Sequence, residues 1–116
     1  MIKANKDLYN SRINKKGMEY IFEILDKNGR KIHLSKERWS HIVNDHPEIS
    51  NRLEEIRDIV KNPLIIKESK DDEKVRHYYK YYKNLKQKAK NLLVSVKYLN
   101  GHGYIITSFY VDKIKK

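Results

Sequence analysis

Two histidines stand five residues apart in the segment His41-Ile-Val-Asn-Asp-His46-Pro47-Glu48. An imidazole is the side chain best suited to give and take a proton near neutral pH. Pro47 disfavours a helical conformation for the residue before it, so His46 is expected at the exit of the helix that carries His41. We predict that His46 is a general acid or base and that His41 contacts the substrate. The alternatives are that His41 only packs at the helix boundary and that His46 only caps the helix, where the dipole favours it.

The spacing of these two histidines does not suit a metal. A zinc site on a helix needs ligands at i, i+3 or i+4 and a third ligand from elsewhere. The chain has no cysteine, which excludes thiolate metal sites and disulfides. We expect neither a metal nor another cofactor.

A second group of candidates alternates basic and aromatic side chains between residues 76 and 83. On a strand, alternate residues point to opposite faces. One face would carry Arg76, Tyr78, Lys80 and Tyr82. The other would carry His77, Tyr79, Tyr81 and Lys83. Cations stabilise a phosphorane, so we predict catalytic roles for Arg76 and Lys80. Tyrosines stack on bases, so we predict substrate contacts for Tyr78, Tyr79 and Tyr82, and for the cation Lys83. The alternative is an ordinary half-buried strand with lysines along a solvated edge.

A third group lies near the end of the chain, where Thr107 and Ser108 could hold a scissile phosphate, although threonine is also common in strands. RNA cleavage without a metal needs a base for the 2′-hydroxyl, an acid for the 5′-oxygen and cations for the transition state. The three groups together supply all of these. His41, His46, His77 and His102 are the candidates for the proton carrier.

Local signals predict the elements that position these residues. A turn at 26–29 predicts a hairpin of residues 19–25 and 30–34. Two helices should follow, with Ser35 and Ser50 as candidate N-caps and with Pro47 and Pro63 ending the first and the second helix. Four stretches rich in β-branched and aromatic residues follow: Leu64–Glu68, Lys74–Tyr82, Leu92–Leu99 and Tyr104–Val111. The predicted fold is α+β, with the N-terminal hairpin and two helices packed on a four-stranded antiparallel β-sheet.

The composition is that of one small basic domain. The chain has 116 residues and a formal net charge of +11, which favours a polyanionic partner, nucleic acid first and an anionic membrane surface second. A lysine-rich source proteome would give the same composition. Residues 1–17 are predicted to be a basic N-terminal arm and residues 18–116 a single α+β domain. No apolar leader or membrane span is present in the sequence, so a cytoplasmic protein without a membrane partner is expected.

The order of these motifs resembles the barnase–EndoU–colicin–RelE (BECR) nuclease fold, particularly its phage- and prophage-associated branch. The resemblance runs from about Lys31 to Ile114 and rests on the segments Trp39 to Glu48, Ile59 to Pro63, Tyr79 to Lys80, Leu92 to Lys97 and Ile105 to Phe109. It implies two helices on a four-stranded antiparallel sheet, with catalytic groups drawn from the helix exit and the sheet face. His46 matches the histidine of the His-Pro-Glu motif, Arg76 and Tyr79 or Lys80 match central-strand positions, and Thr107 and Ser108 match the terminal-strand hydroxyl position.

The expected function is that of a toxin-like endoribonuclease that acts on RNA by 2′-hydroxyl attack and needs no metal. Relatives of this type commonly cleave tRNA or ribosome-associated mRNA, and an antitoxin or immunity protein is a possible partner. The rival hypothesis is a non-catalytic RNA- or DNA-binding module that uses the basic Tyr/Lys sheet face. A structural protein whose basic surface serves assembly is a third possibility.

Overall fold

The computed structural model describes residues 12–13, 19–82 and 91–113, which form seven strands and two α-helices. In chain order the elements are β1 (Arg12–Ile13), β2 (Glu19–Leu25), β3 (Lys31–Ser35), α1 (Lys36–Asp45), a 3₁₀ turn (Pro47–Ile49), α2 (Leu53–Lys61), β4 (Ile65–Glu68), β5 (Val75–Tyr81), β6 (Asn91–Leu99) and β7 (His102–Val111). β1 lies within the stretch predicted to be a basic arm, and the rest of residues 1–17 lies outside the described ranges.

Turn and cap chemistry explains most of the element boundaries. Asp26 Oδ1 accepts hydrogen bonds from the backbone N–H groups of Asn28 and Arg30, and Gly29 adopts a φ of +84° in the β2–β3 turn. Ser35 caps α1 by accepting a hydrogen bond from the Arg38 N–H. The predicted cap at Ser50 is wrong: α2 begins at Leu53, after an N-cap residue that makes no side-chain cap bond.

The predicted four-stranded antiparallel sheet is wrong. The strands form one mixed sheet in the order β1-β2-β3-β7-β6-β5-β4. β4 to β7 pair in the predicted antiparallel manner, and β2–β3 form the predicted hairpin. The hairpin, however, joins the edge of β7 through a short parallel pairing, Ile32 with Gly103 and His33 with Tyr104. Burial of apolar side chains drives this extension, because the hairpin and the antiparallel meander of β4 to β7 can then share one continuous core.

The core lies between the helices and one side of the sheet, which we call the helix side. The hairpin contributes Phe22, Ile24, Ile32 and Leu34 to it. The helices and the turn between them contribute Ile42, Ile49, Ile56, Ile59 and Val60, and the meander contributes Tyr78, Leu92, Val94, Val96 and Ile105. Strand side chains alternate between faces, so residues between these positions point to the opposite side, which we call the cleft side. No helix in the described part of the chain is long and apolar enough to cross a membrane.

Candidate functional site

The cleft side of the sheet holds a cavity of about 950 Å³, which we call the sheet cleft. It crosses from the edge strand β4 to the end of β7. Its floor consists of side chains that alternate with core residues: His77, Tyr79, Leu93, Phe109 and Val111. Its rim consists of Lys67, Glu68, Ser69, Lys70, Asp71, Asp112 and Lys113. The cleft therefore combines aromatic rings at the base with charged groups around them.

His77 is the imidazole on the cleft floor. Its Nδ1 lies 2.7 Å from Oγ of Ser95 on the neighbouring strand, where Ser95 is the register partner of His77. Burial lowers the pKa of His77 below its ordinary value of 6.5, so the ring is neutral at pH 7. When Nδ1–H donates to Ser95, Nε2 carries the lone pair. Within the described residues Nε2 makes no hydrogen bond, so it can accept a proton from a ligand.

Strand register aligns polar side chains across the cleft side. Lys67 pairs with His77, His77 with Ser95, and Ser95 with Thr107, which gives one row over β4, β5, β6 and β7. The adjacent row runs through Ile65, Tyr79, Leu93 and Phe109. Of the predicted site residues, Thr107 and Tyr79 belong to these rows, and Tyr79 lines the cleft.

His46 joins the site through Phe109. It follows the last residue of α1, and its ring packs on the Phe109 ring with centroids 4.9 Å apart. Its Nδ1 lies 3.6 Å from Oε2 of Glu48, and its side chain is about one third exposed. The helix exit therefore places a second imidazole in contact with Phe109, one of the rings of the cleft floor.

The predicted face of Arg76, Tyr78, Lys80 and Tyr82 is the helix side of β5. Lys80 Nζ lies 2.7 Å from Oδ2 of Asp58 on α2, and the Tyr82 hydroxyl donates to the same oxygen at 2.6 Å. Burial would raise the pKa of Asp58, but these two bonds hold it below its ordinary value. Lys80 and Tyr82 thus fasten α2 to the sheet.

The remaining candidates are placed as follows. Tyr78 is 1% exposed and its hydroxyl bonds to the hydroxyl of Tyr98. Arg76 lies over the Tyr98 ring, 5.5 Å from its centroid. Ser108 is fully buried and its hydroxyl donates to the Leu93 carbonyl at 2.7 Å. His41 is exposed on α1, and Lys83 lies outside the described residues.

The charge of the described part of the chain is nearly balanced. Residues 19–82 and 91–113 contain 15 basic and 14 acidic residues, so almost all of the +11 excess lies in 1–18, 83–90 and 114–116. The cleft rim carries three lysines and three carboxylates. The positive excess therefore lies in those three stretches of the sequence and not among the residues that line the cleft.

Sequence reasoning named His77 only as one of four candidate proton carriers, without assigning it a role, and did not consider His33. The alternation of β5 placed His77 opposite the favoured face, and only the position of the helices showed which face is free for a ligand. His33 was not considered, since it lies in a predicted hairpin with no catalytic motif around it. Within the described ranges, no three His, Cys, Asp or Glu side chains are arranged to hold a metal ion.

No family model, curated protein or solved structure matches this chain. The resemblance to BECR nucleases therefore rests on the order of the sequence motifs.

Proposed function

We propose that this protein is a metal-independent ribonuclease whose active site is the sheet cleft. The observation that carries the proposal is a neutral imidazole, His77, held by Ser95 on the floor of a cavity between Tyr79 and Phe109. A neutral imidazole with a free nitrogen is suited to accept the proton of a ribose hydroxyl. Aromatic rings beside it are suited to stack on the bases of a single strand.

In the proposed reaction, His77 Nε2 removes the proton of a 2′-hydroxyl and the oxygen attacks the adjacent phosphorus. The bond from phosphorus to the 5′-oxygen breaks, which leaves a 2′,3′-cyclic phosphate. His46, on the Phe109 side, donates the proton that the departing 5′-oxygen takes up. The ammonium groups of Lys67 and Lys70 offset the charge of the phosphorane, and the Thr107 hydroxyl bonds to a phosphate oxygen. Such an enzyme would meet its substrate in the cytoplasm.

The test is cleavage of a mixed single-stranded RNA pool by the purified protein in EDTA, with product ends analysed for cyclic phosphate. His77→Gln and His46→Ala should each lower the rate by a factor of about 10² or more, which is typical for loss of an acid or base. His41→Gln is the histidine control: His41 is exposed on α1 and is not among the residues that line the cleft, so it should cleave at the wild-type rate. A lowered rate would instead support the substrate contact predicted for His41 from the sequence. Circular dichroism establishes that each variant is folded.

The pH profile gives a second readout. Because the pKa of His77 is lowered, the rate should stay high as pH falls to 6.5 and decline only below it. The concentration of charge outside the cleft favours one rival, a binding module that holds RNA without cutting it. If wild type and variants all bind RNA and none cleaves it, the ribonuclease proposal fails and the binding module stands.

A further inference from the structure

A second histidine group, separate from the sheet cleft, lies where the hairpin meets the meander. His33 on β3 is 5% exposed, and its Nε2 lies 3.0 Å from Nδ1 of His102 on β7. On the other side of the same ring, the buried Nδ1 lies 3.1 Å from Oε2 of Glu23 on β2, an electrostatic contact without the geometry of a hydrogen bond. One carboxylate and two imidazoles therefore form a continuous line across three neighbouring strands.

The position of this line is significant because the strand pairing there is minimal. β3 and β7 share only two register pairs, Ile32 with Gly103 and His33 with Tyr104. The imidazole–imidazole hydrogen bond adds a side-chain connection at the same point. β3 continues directly through Ser35 into α1, which ends beside His46. The chain thus connects the junction directly to the helix that ends at His46.

We infer that Glu23, His33 and His102 form a proton-sensitive clasp that holds β3 against β7 and loosens when both imidazoles are protonated. With both rings neutral, the Glu23 carboxylate favours the proton of His33 on Nδ1, so Nε2 accepts the Nδ1–H of His102. One added proton on His102 Nε2 leaves this hydrogen bond intact. A second proton on His33 Nε2 turns the contact into two facing donors that both carry positive charge, and the bond is lost.

The groups around His33 decide when the second proton binds. β2 presents Glu23, β3 presents Lys31 and β7 presents His102. Burial lowers the pKa of His33, with His102 and Lys31 adding to the effect, and Glu23 opposes it. The ring centroids of Tyr20 and Tyr104 lie 4.8 and 5.1 Å from that of His33. On β6, the charge of Lys97 is paired with Asp72, since Lys97 Nζ lies 3.1 Å from Asp72 Oδ2. The clasp therefore stays closed at pH 7 and opens below the ordinary histidine value of 6.5.

Amide hydrogen exchange on the whole protein tests the clasp, with rates corrected for the intrinsic effect of pH. Protection of the amides at the β3–β7 junction should fall about tenfold as the pH is lowered from 7 through the range below 6.5, as expected for loss of one partly buried hydrogen bond. Protection of the β5–β6 pair Tyr79 and Leu93 should change much less over the same range. In His102→Gln the fall at the junction should disappear. In Glu23→Gln, which removes the carboxylate that favours protonated His33, its midpoint should move to lower pH.

His41→Gln is the control, since it removes an exposed histidine that lies outside the group, and it should retain the wild-type response. Nitrogen-15 spectra of the imidazoles give a readout that does not depend on strand opening. They should show His33 protonated on Nδ1 alone at pH 7 and on both nitrogens over the same pH range in which junction protection falls. Junction protection that is independent of pH, or that falls equally in His102→Gln, would overturn the inference.

Discussion

Replacement of Gly103 by alanine tests the parallel junction that extends the sheet. Gly103 is buried and pairs with Ile32. A Cβ at this position would overlap Ile32 Cδ1 and stand 2.8 Å from Val96 Cγ1 and 2.9 Å from Tyr98 Cε1. Overpacking of this kind costs about 1–3 kcal/mol. Because three side chains must move at once, we expect Gly103→Ala to lower the free energy of unfolding by about 2 kcal/mol.

A second substitution identifies the contact responsible. Ile32→Val removes the Cδ1 atom that the new methyl group would overlap, and by itself costs about 1 kcal/mol. If Ile32 is the main obstacle, the double variant should be more stable than the sum of the single effects predicts, by about 1 kcal/mol. Urea denaturation followed by circular dichroism gives these values, provided that the variants share one m-value.

Gly101→Ala is the matched control. Gly101 has a φ of +81° and no neighbouring atom within 4 Å of the added Cβ, so its cost is backbone strain of about 1–2 kcal/mol. Ile32→Val cannot relieve that strain, and the two effects should add. If Gly103→Ala lies within about 0.5 kcal/mol of the wild type, the range of an ordinary surface substitution, Gly103 does not face Ile32 and the sheet order is wrong. Strict additivity of Gly103→Ala with Ile32→Val would lead to the same conclusion.

Two further predictions concern carboxylates that accept several hydrogen bonds. Asp58→Ala should lower the free energy of unfolding by about 1–2 kcal/mol, because Lys80 and Tyr82 lose their shared acceptor. The double variant Asp58→Ala with Tyr82→Phe should lose less stability than the sum of the two single losses. Additive losses in urea denaturation would exclude the shared bond. Asp26→Asn should lower it by about 1–2 kcal/mol at pH 7. Burial would raise the pKa of Asp26, but its bonds from Arg30 and Tyr98 lower it overall, so this stabilisation is present above the ordinary value of 3.8 and lost as pH falls below it. A difference between wild type and Asp26→Asn that persists unchanged at pH 3 would contradict this account.

The resemblance to the BECR fold and the proposed chemistry agree on one point of geometry. Both draw catalytic groups from a helix exit and a sheet face. In the structure His46 at the end of α1 and Phe109 on the cleft side of β7 are in contact. This contact supports the choice of the cleft side for the proposed active site, and the cleavage experiments decide whether it acts there.

Local sequence signals predicted the first hairpin, α1 and the strands β4 to β7 because local chemistry determines these elements, whereas the start of α2 and the strand β1 were not predicted. Ser35 and Pro47 bound α1, Gly29 permits the first hairpin turn, and Asn100 and Gly101 adopt the positive φ values of the last one. Alternation along β5 also separated Arg76, Tyr78 and Lys80 from His77 and Tyr79 correctly. A period of two, however, says only which residues share a face, and it does not say which face the helices will cover.

Only the tertiary structure determined which face of β5 the helices cover. The face richest in tyrosine and cations was favoured for RNA because exposed cations attract phosphate, but Asp58 on α2 pairs with Lys80 and Tyr82 and turns that face into a helix–sheet interface. His77 thereby comes to lie in the cleft. The attachment of β3 to β7, and with it the contact of His33 with His102 across 69 residues of chain, was equally invisible in the sequence. Parallel pairing between distant strands leaves no turn signal, since it arises only when separate apolar faces are buried in one core.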